Sequence, residues 1–114
     1  MHAEAPETAV DERVAPQADD IVVRKTRVGA LSTTDLHEQL RERGIDTLIL
    51  AGIATGGVVL STVRDAADRD YRVLVLEDAS ADPDAQVHQL LTGKVFPRQA
   101  DVIAADQLAG LLSD

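Results

Sequence analysis

Residues 47–66 constrain this chain more than any other stretch. Thr47-Leu48-Ile49-Leu50-Ala51 reads as a buried strand, and a turn containing Gly52, Gly56 and Gly57 carries it straight into Val58-Val59-Leu60-Ser61-Thr62-Val63-Arg64-Asp65-Ala66. Within that second run Val59, Thr62, Val63 and Ala66 recur at helical spacing, which predicts a helix from about Gly57 to Asp70 with those four facing inward. A strand passing through such a turn into a helix is where α/β proteins place functional atoms. The first helical turn offers N–H groups without intrahelical partners and the positive end of the helix dipole. The residue at this turn is Val58, whose side chain can neither attack a substrate nor carry a proton.

The rest of the chain repeats the pattern. Ile21-Val22-Val23 is a short strand candidate, and Ser32 to Arg43 reads as a helix capped by Ser32 or Thr33, with Leu36 and Leu40 on one face and Gly44 as its stop. Arg72-Val73-Leu74-Val75-Leu76-Glu77 is a second buried strand. Asp82-Pro83 then predicts a cap and first helical residue for a helix reaching Val95, with Val87, Leu90, Leu91 and Val95 inward. Asp101-Val102-Ile103 is a last strand, and Asp106 opens a terminal helix carrying Leu108, Leu111 and Leu112. Strands alternating with helices across short connections predict an α/β fold, a parallel sheet flanked by helices. One Phe, one Tyr and no Trp leave Val, Leu, Ile and Ala to fill the core, which suits strands buried on both faces.

Charge and composition exclude several functions. The net charge is −9, and residues 1–20 hold Glu4, Glu7, Asp11, Glu12, Asp19 and Asp20 against Arg13 alone. Residues 1–18 read as an acidic, irregular leader and 19–114 as the folded domain. Without clustered Lys and Arg, no nucleic-acid partner is expected. Zero cysteines remove thiol nucleophiles, thiolate metal sites and disulfides. With no apolar run of membrane-spanning length, the expectation is a cytoplasmic protein that does not engage a membrane. No cofactor motif and no metal-ligand spacing stand out, so neither is expected. His2, His37 and His88 are distant in sequence from Thr55, Ser61 and Thr62, so these hydroxyls have no evident base. His37 and His88 read as exposed helix residues, Thr55 as a cap or turn residue.

Ile45 to Thr55, then Ser61 to Ala66, then Tyr71 to Ala79 resemble the isochorismatase-like cysteine hydrolases, and Asp20 to Lys25, His88 and Phe96 to Val102 continue the match. The resemblance spans nearly all of residues 16–112. It implies a partial form of that family's Rossmann-like three-layer fold, lacking its N-terminal strands, and homodimers or larger homo-oligomers. The family hydrolyses small amides, imidates or vinyl ethers with an Asp, a Lys and a Cys. Carried over by position, the Lys is Lys25, and the nucleophile's place falls on Val58. The oxyanion-binding turn covers Ile53, Ala54, Thr55, Gly56 and Gly57, with a cis peptide between Ile53 and Ala54. The strand bearing the Asp has no counterpart in these 114 residues. A similar subgroup that reads Thr-Ser-Gly-Val-Val-Leu-Ser-Thr at this turn also lacks the Cys.

Three readings remain open on the sequence. The chain is a hydrolase homologue without catalytic competence as it stands. Or it hydrolyses such a substrate by a non-cysteine mechanism or with an additional N-terminal segment. Or it serves as a small-anion-binding or structural subunit of an oligomer, with Lys25 and the helix start supplying positive charge.

Overall fold

The computed structural model describes residues 18, 20–21, 28–31 and 34–112. Three parallel strands, β1 (Thr47–Ile53), β2 (Arg72–Ala81) and β3 (Asp101–Ile103), lie in the order β1-β2-β3. The helices are α1 (Leu36–Glu42), α2 (Leu60–Asp68), α3 (Ala85–Leu90) and α4 (Ala105–Leu112). The architecture is the α/β parallel sheet flanked by helices that the alternation of elements predicts.

Strand pleating divides the apolar residues between two faces. Val73 and Val75 on β2 are buried in one core with Leu40 of α1, Val63 and Ala66 of α2, Leu91 and Phe96. Leu48 and Leu50, their partners across the ladder, pack against the same core. Ile49 and Leu74, one residue out of phase, face the other way and line a cleft with Leu108 and Leu111 of α4. The predicted stripe of α2 is borne out, since Val59, Thr62, Val63 and Ala66 are all buried. Gly44 ends the α1 segment at φ +71, in the left-handed region that suits glycine.

Several boundaries differ from the sequence reading. The helix expected from Ser32 starts at Leu36; Ser32 and Thr33 lie outside the described residues. Thr34 stands at the entry instead, its hydroxyl accepting the Leu36 N–H at 3.2 Å and donating to the Ala30 carbonyl at 2.7 Å. The second strand runs on to Ala81. Between the pairs Leu50–Val75 and Gly52–Ser80 the ladder advances two residues on β1 against five on β2, so β2 carries an outward excursion that ends-of-run patterning does not show. In the following helix Leu90 is exposed rather than inward, while Val87 is half-buried and Leu91 buried, and α3 gives way after Leu90 to a π-helical turn at Leu91–Val95. Of the expected strand Ile21–Val23, Ile21 is irregular and the other two residues lie outside the described set, as does residues 1–17 of the leader. β1 itself departs from the buried reading: its residues alternate between half-buried and exposed, with Ile49 40% and Ile53 75% exposed.

Candidate functional site

β1 delivers its C-terminal end to a compact turn. The Ile53–Ala54 peptide is cis, the bond the sequence reading placed there. A π-helical turn, Thr55–Val59, follows and feeds α2 without a break. Within it the Gly57 N–H donates to the Ala54 carbonyl at 3.0 Å and the Val59 N–H to the same oxygen at 3.3 Å. Val58, the position that the resemblance gives to the nucleophile, is half-buried and packs against the apolar core. Its position at the helix start agrees with the sequence reading; its side chain brings only aliphatic carbon there.

Two contacts from the far side of β2 hold this turn. Thr55 is 0% exposed, and its Oγ1 lies 2.7 Å from Nδ1 of His88 on α3. The Gly56 N–H donates to Oδ2 of Asp82 at 2.7 Å, while Oδ1 of the same carboxylate accepts the Asp84 N–H at 3.0 Å. These two backbone donors, first Asp84 and then Gly56, hold the Asp82 carboxyl below its ordinary value, with the neighbouring His88 adding to the effect. A side chain at Gly56 would be crowded. A Cβ there would stand 3.0 Å from Asp82 Oδ2 and 3.0 Å from Val87 Cγ1.

Three expectations are corrected by this geometry. His88 is half-buried and bonded to Thr55 rather than an exposed helix residue. His37 is half-buried too, with Nδ1 2.8 Å from the Tyr71 hydroxyl and the two rings edge to face at 5.5 Å. Thr55 is a turn residue, as one of its two readings had it, and caps nothing with its side chain; burial leaves its hydroxyl the imidazole as partner. Asp82 was the expected helix cap, but Asp84 takes that role by accepting the Gln86 and Val87 N–H groups at 2.9 and 3.4 Å. Asp82-Pro83-Asp84 offers two carboxylates before one helix, and the one not used as its cap is free for a distant donor. That doubling was the available sequence signal for the Asp82 contact.

Lys25 lies outside the described residues, so Val58, Ile53, Ala54, Thr55, Gly56 and Gly57 are the predicted site residues that the structure brings together. Ser80 adjoins them, paired with Gly52 across the ladder; it is buried and its hydroxyl has no hydrogen-bond partner among the described residues. Ser61 is half-buried on α2, and Thr62 is buried with its hydroxyl accepting the Ala30 N–H at 3.2 Å. A cleft of about 410 Å³, lined by Arg72, Asp101 and Leu111 among others, sits by the first residues of β2 and β3, the end of the sheet away from position 58. Among the described residues no three His, Asp or Glu side chains gather as metal ligands would.

Comparison with known proteins agrees with the residue pattern. The family model for the isochorismatase domain matches residues 1–107. The chain is 38% identical over 93 residues to an uncharacterized isochorismatase family protein, YecD, of Escherichia coli O157:H7, covering 82% of this chain and 50% of that protein. It is 40% identical over 105 residues to the ureidoacrylate amidohydrolase RutB of Klebsiella pneumoniae, covering 92% of this chain and 40% of that one. A solved isochorismatase family protein from Burkholderia thailandensis superposes with a TM-score of 0.92 at 35% identity, over 96% of this chain and 58% of its own. The chain thus spans about half the length of the curated relatives it matches. With the family model covering most of its length, the chain belongs to the isochorismatase family.

Proposed function

We propose that residues 1–114 form a hydrolase-family domain that does not itself turn over small amides, imidates or vinyl ethers by the family's thiolate route. The observation that carries this reading is Val58: the position that the resemblance gives to the nucleophile holds an aliphatic side chain in a chain without cysteine. The named relatives RutB and maleamate amidohydrolase make small amides the substrate class to test. In this reading the chain is cytoplasmic, on the strength of its cysteine-free composition, and works as a homo-oligomer.

A second reading, hydrolysis through a hydroxyl, draws on the Thr55–His88 pair, which sets a hydroxyl beside a base at 2.7 Å. Against it stands the complete burial of Thr55, which leaves no approach for a substrate carbon. A small-anion reading loses one donor, since the Gly56 N–H is already satisfied by Asp82.

The test is an assay of the purified chain against ureidoacrylate, maleamate and isochorismate. The expected rate is that of buffer. General acid–base assistance alone is worth roughly 100- to 10,000-fold, so genuine catalysis stands well clear of background. Turnover abolished by Lys25→Ala would overturn the proposal, and turnover abolished by Thr55→Val would favour the hydroxyl reading.

A further inference from the structure

Position 58 follows two glycines, Gly56 and Gly57, in a turn wider than an α-helical one. Glycine has more backbone freedom than any other residue, so a pair of them loosens whatever comes next. Inside the turn, the Gly57 and Val59 N–H groups share a single acceptor, the Ala54 carbonyl. Thr55 and Gly56 are each held from outside as well, Thr55 by His88 of α3 and Gly56 by Asp82 of the β2–α3 loop.

The Asp82 bond has one sense, from N–H to carboxylate, but a hydroxyl and an imidazole nitrogen can bond in either direction. Burial decides between them. Thr55 is 0% exposed, so its hydroxyl hydrogen is sealed from bulk solvent, and among the described residues its hydrogen-bond partner is Nδ1 of His88 at 2.7 Å. With the ring proton on Nδ1, the imidazole would donate to Oγ1 and strand the hydroxyl hydrogen in the interior without an acceptor. With the proton on Nε2, Nδ1 accepts and the hydroxyl is satisfied. The main chain of His88 is itself anchored on both sides. Its N–H donates to the Asp84 carbonyl at 3.2 Å, and its carbonyl accepts the hydroxyl of buried Thr92 at 2.8 Å.

We propose that His88 is a positioning residue for this turn: neutral and protonated on Nε2, it accepts the Thr55 hydroxyl and, together with Asp82, fixes the direction in which residue 58 is presented. It acts through Thr55 and touches no reacting atom. This rests on the placement of the family's nucleophile at position 58 used above. The two readings fail separately, because the tests below read protons and backbone motion rather than turnover. Hydrolysis of an amide by this chain would sink the earlier reading and leave this one standing.

Long-range proton–nitrogen correlation spectra of the wild-type chain at about pH 8, where an ordinary imidazole is neutral, should show Nδ1 of His88 bare and Nε2 protonated. A proton on Nδ1 would overturn the proposal, and this measurement needs no variant. Nitrogen relaxation then reads the turn itself. In the wild type the amide order parameters of Gly57 and Val58 should lie near the rigid value of about 0.85, and in His88→Leu they should fall towards about 0.6. His88→Asn sets an amide oxygen near the place of Nδ1 and should restore them, which a role in packing alone would not predict. Thr55→Val keeps the shape and deletes the hydroxyl, so it should loosen the same two amides, and adding His88→Leu to it should change little more. Order parameters unchanged in either single variant, or a loosening that His88→Asn fails to reverse, would overturn the positioning role.

Discussion

Gly56 shows how closely one residue is specified by its surroundings. Its N–H is the donor that Asp82 accepts, and its missing Cβ is what lets Asp82 and Val87 approach. Two effects of opposite sign meet in Gly56→Ala. Losing a glycine from a helical turn stabilises by roughly 0.5–1 kcal/mol through the unfolded chain. Forcing a methyl to within 3.0 Å of Val87 Cγ1 and of the very oxygen bonded to residue 56 costs about 1–3 kcal/mol. Oδ2 cannot swing aside without breaking its bond to the Gly56 N–H, so the steric cost prevails. A net loss of about 1 kcal/mol is expected from urea unfolding of the variant, and a variant more stable than wild type would show that the loop yields freely.

Among the elements, α3 is the short one on which the site depends. Six residues make a weak helix in isolation, and Ala85–Leu90 buries none of its own residues fully. Its cap therefore matters: Asp84 satisfies two N–H groups of the first turn. Asp84→Ala is expected to cost about 1 kcal/mol, and Asp84→Asn much less, since the amide oxygen still accepts. The loss should reach beyond the helix, because α3 carries His88 to Thr55. The imidazole resonances of His88 in the nuclear magnetic resonance spectrum should shift in Asp84→Ala. An unchanged His88 signal with lowered stability would mean that the Thr55 contact is held by the core alone. The π-helical turn after α3 serves the same packing, turning Leu91 and then Phe96 into the core, where Phe96 is fully buried.

For the molecule as a whole, the Asp82 contact makes stability depend on pH in a defined direction. Backbone N–H groups favour the ionised carboxylate in the folded state, so its folded pKa lies below the unfolded value. Its contribution is then present above the ordinary aspartate range and is lost as pH falls through the folded pKa. Thermal melts of wild type and Asp82→Asn should differ at pH 7 and converge in acid, below the folded value; a gap independent of pH would remove the carboxylate from the account. The local elements were legible beforehand because they are local. The apolar run of β1, the stripe Val59-Thr62-Val63-Ala66 and the stop at Gly44 each follow from neighbours in the chain. The family pattern, including the Ile53–Ala54 cis position, was legible in the same residues. The partners that hold the turn were not. Gly56 and Asp82 are 26 residues apart, and Thr55 and His88 are 33 apart, so periodicity carries no trace of either bond. Nor does it tell a strand covered on both faces from β1, whose run of Leu and Ile is the same whether or not helices and a neighbouring strand close over it. Chain chemistry alone determined which atoms this turn can offer; the packing of α3 and the β2–α3 loop decided which of them are already bound to one another, because hydrogen bonds and burial are made through space rather than along the chain.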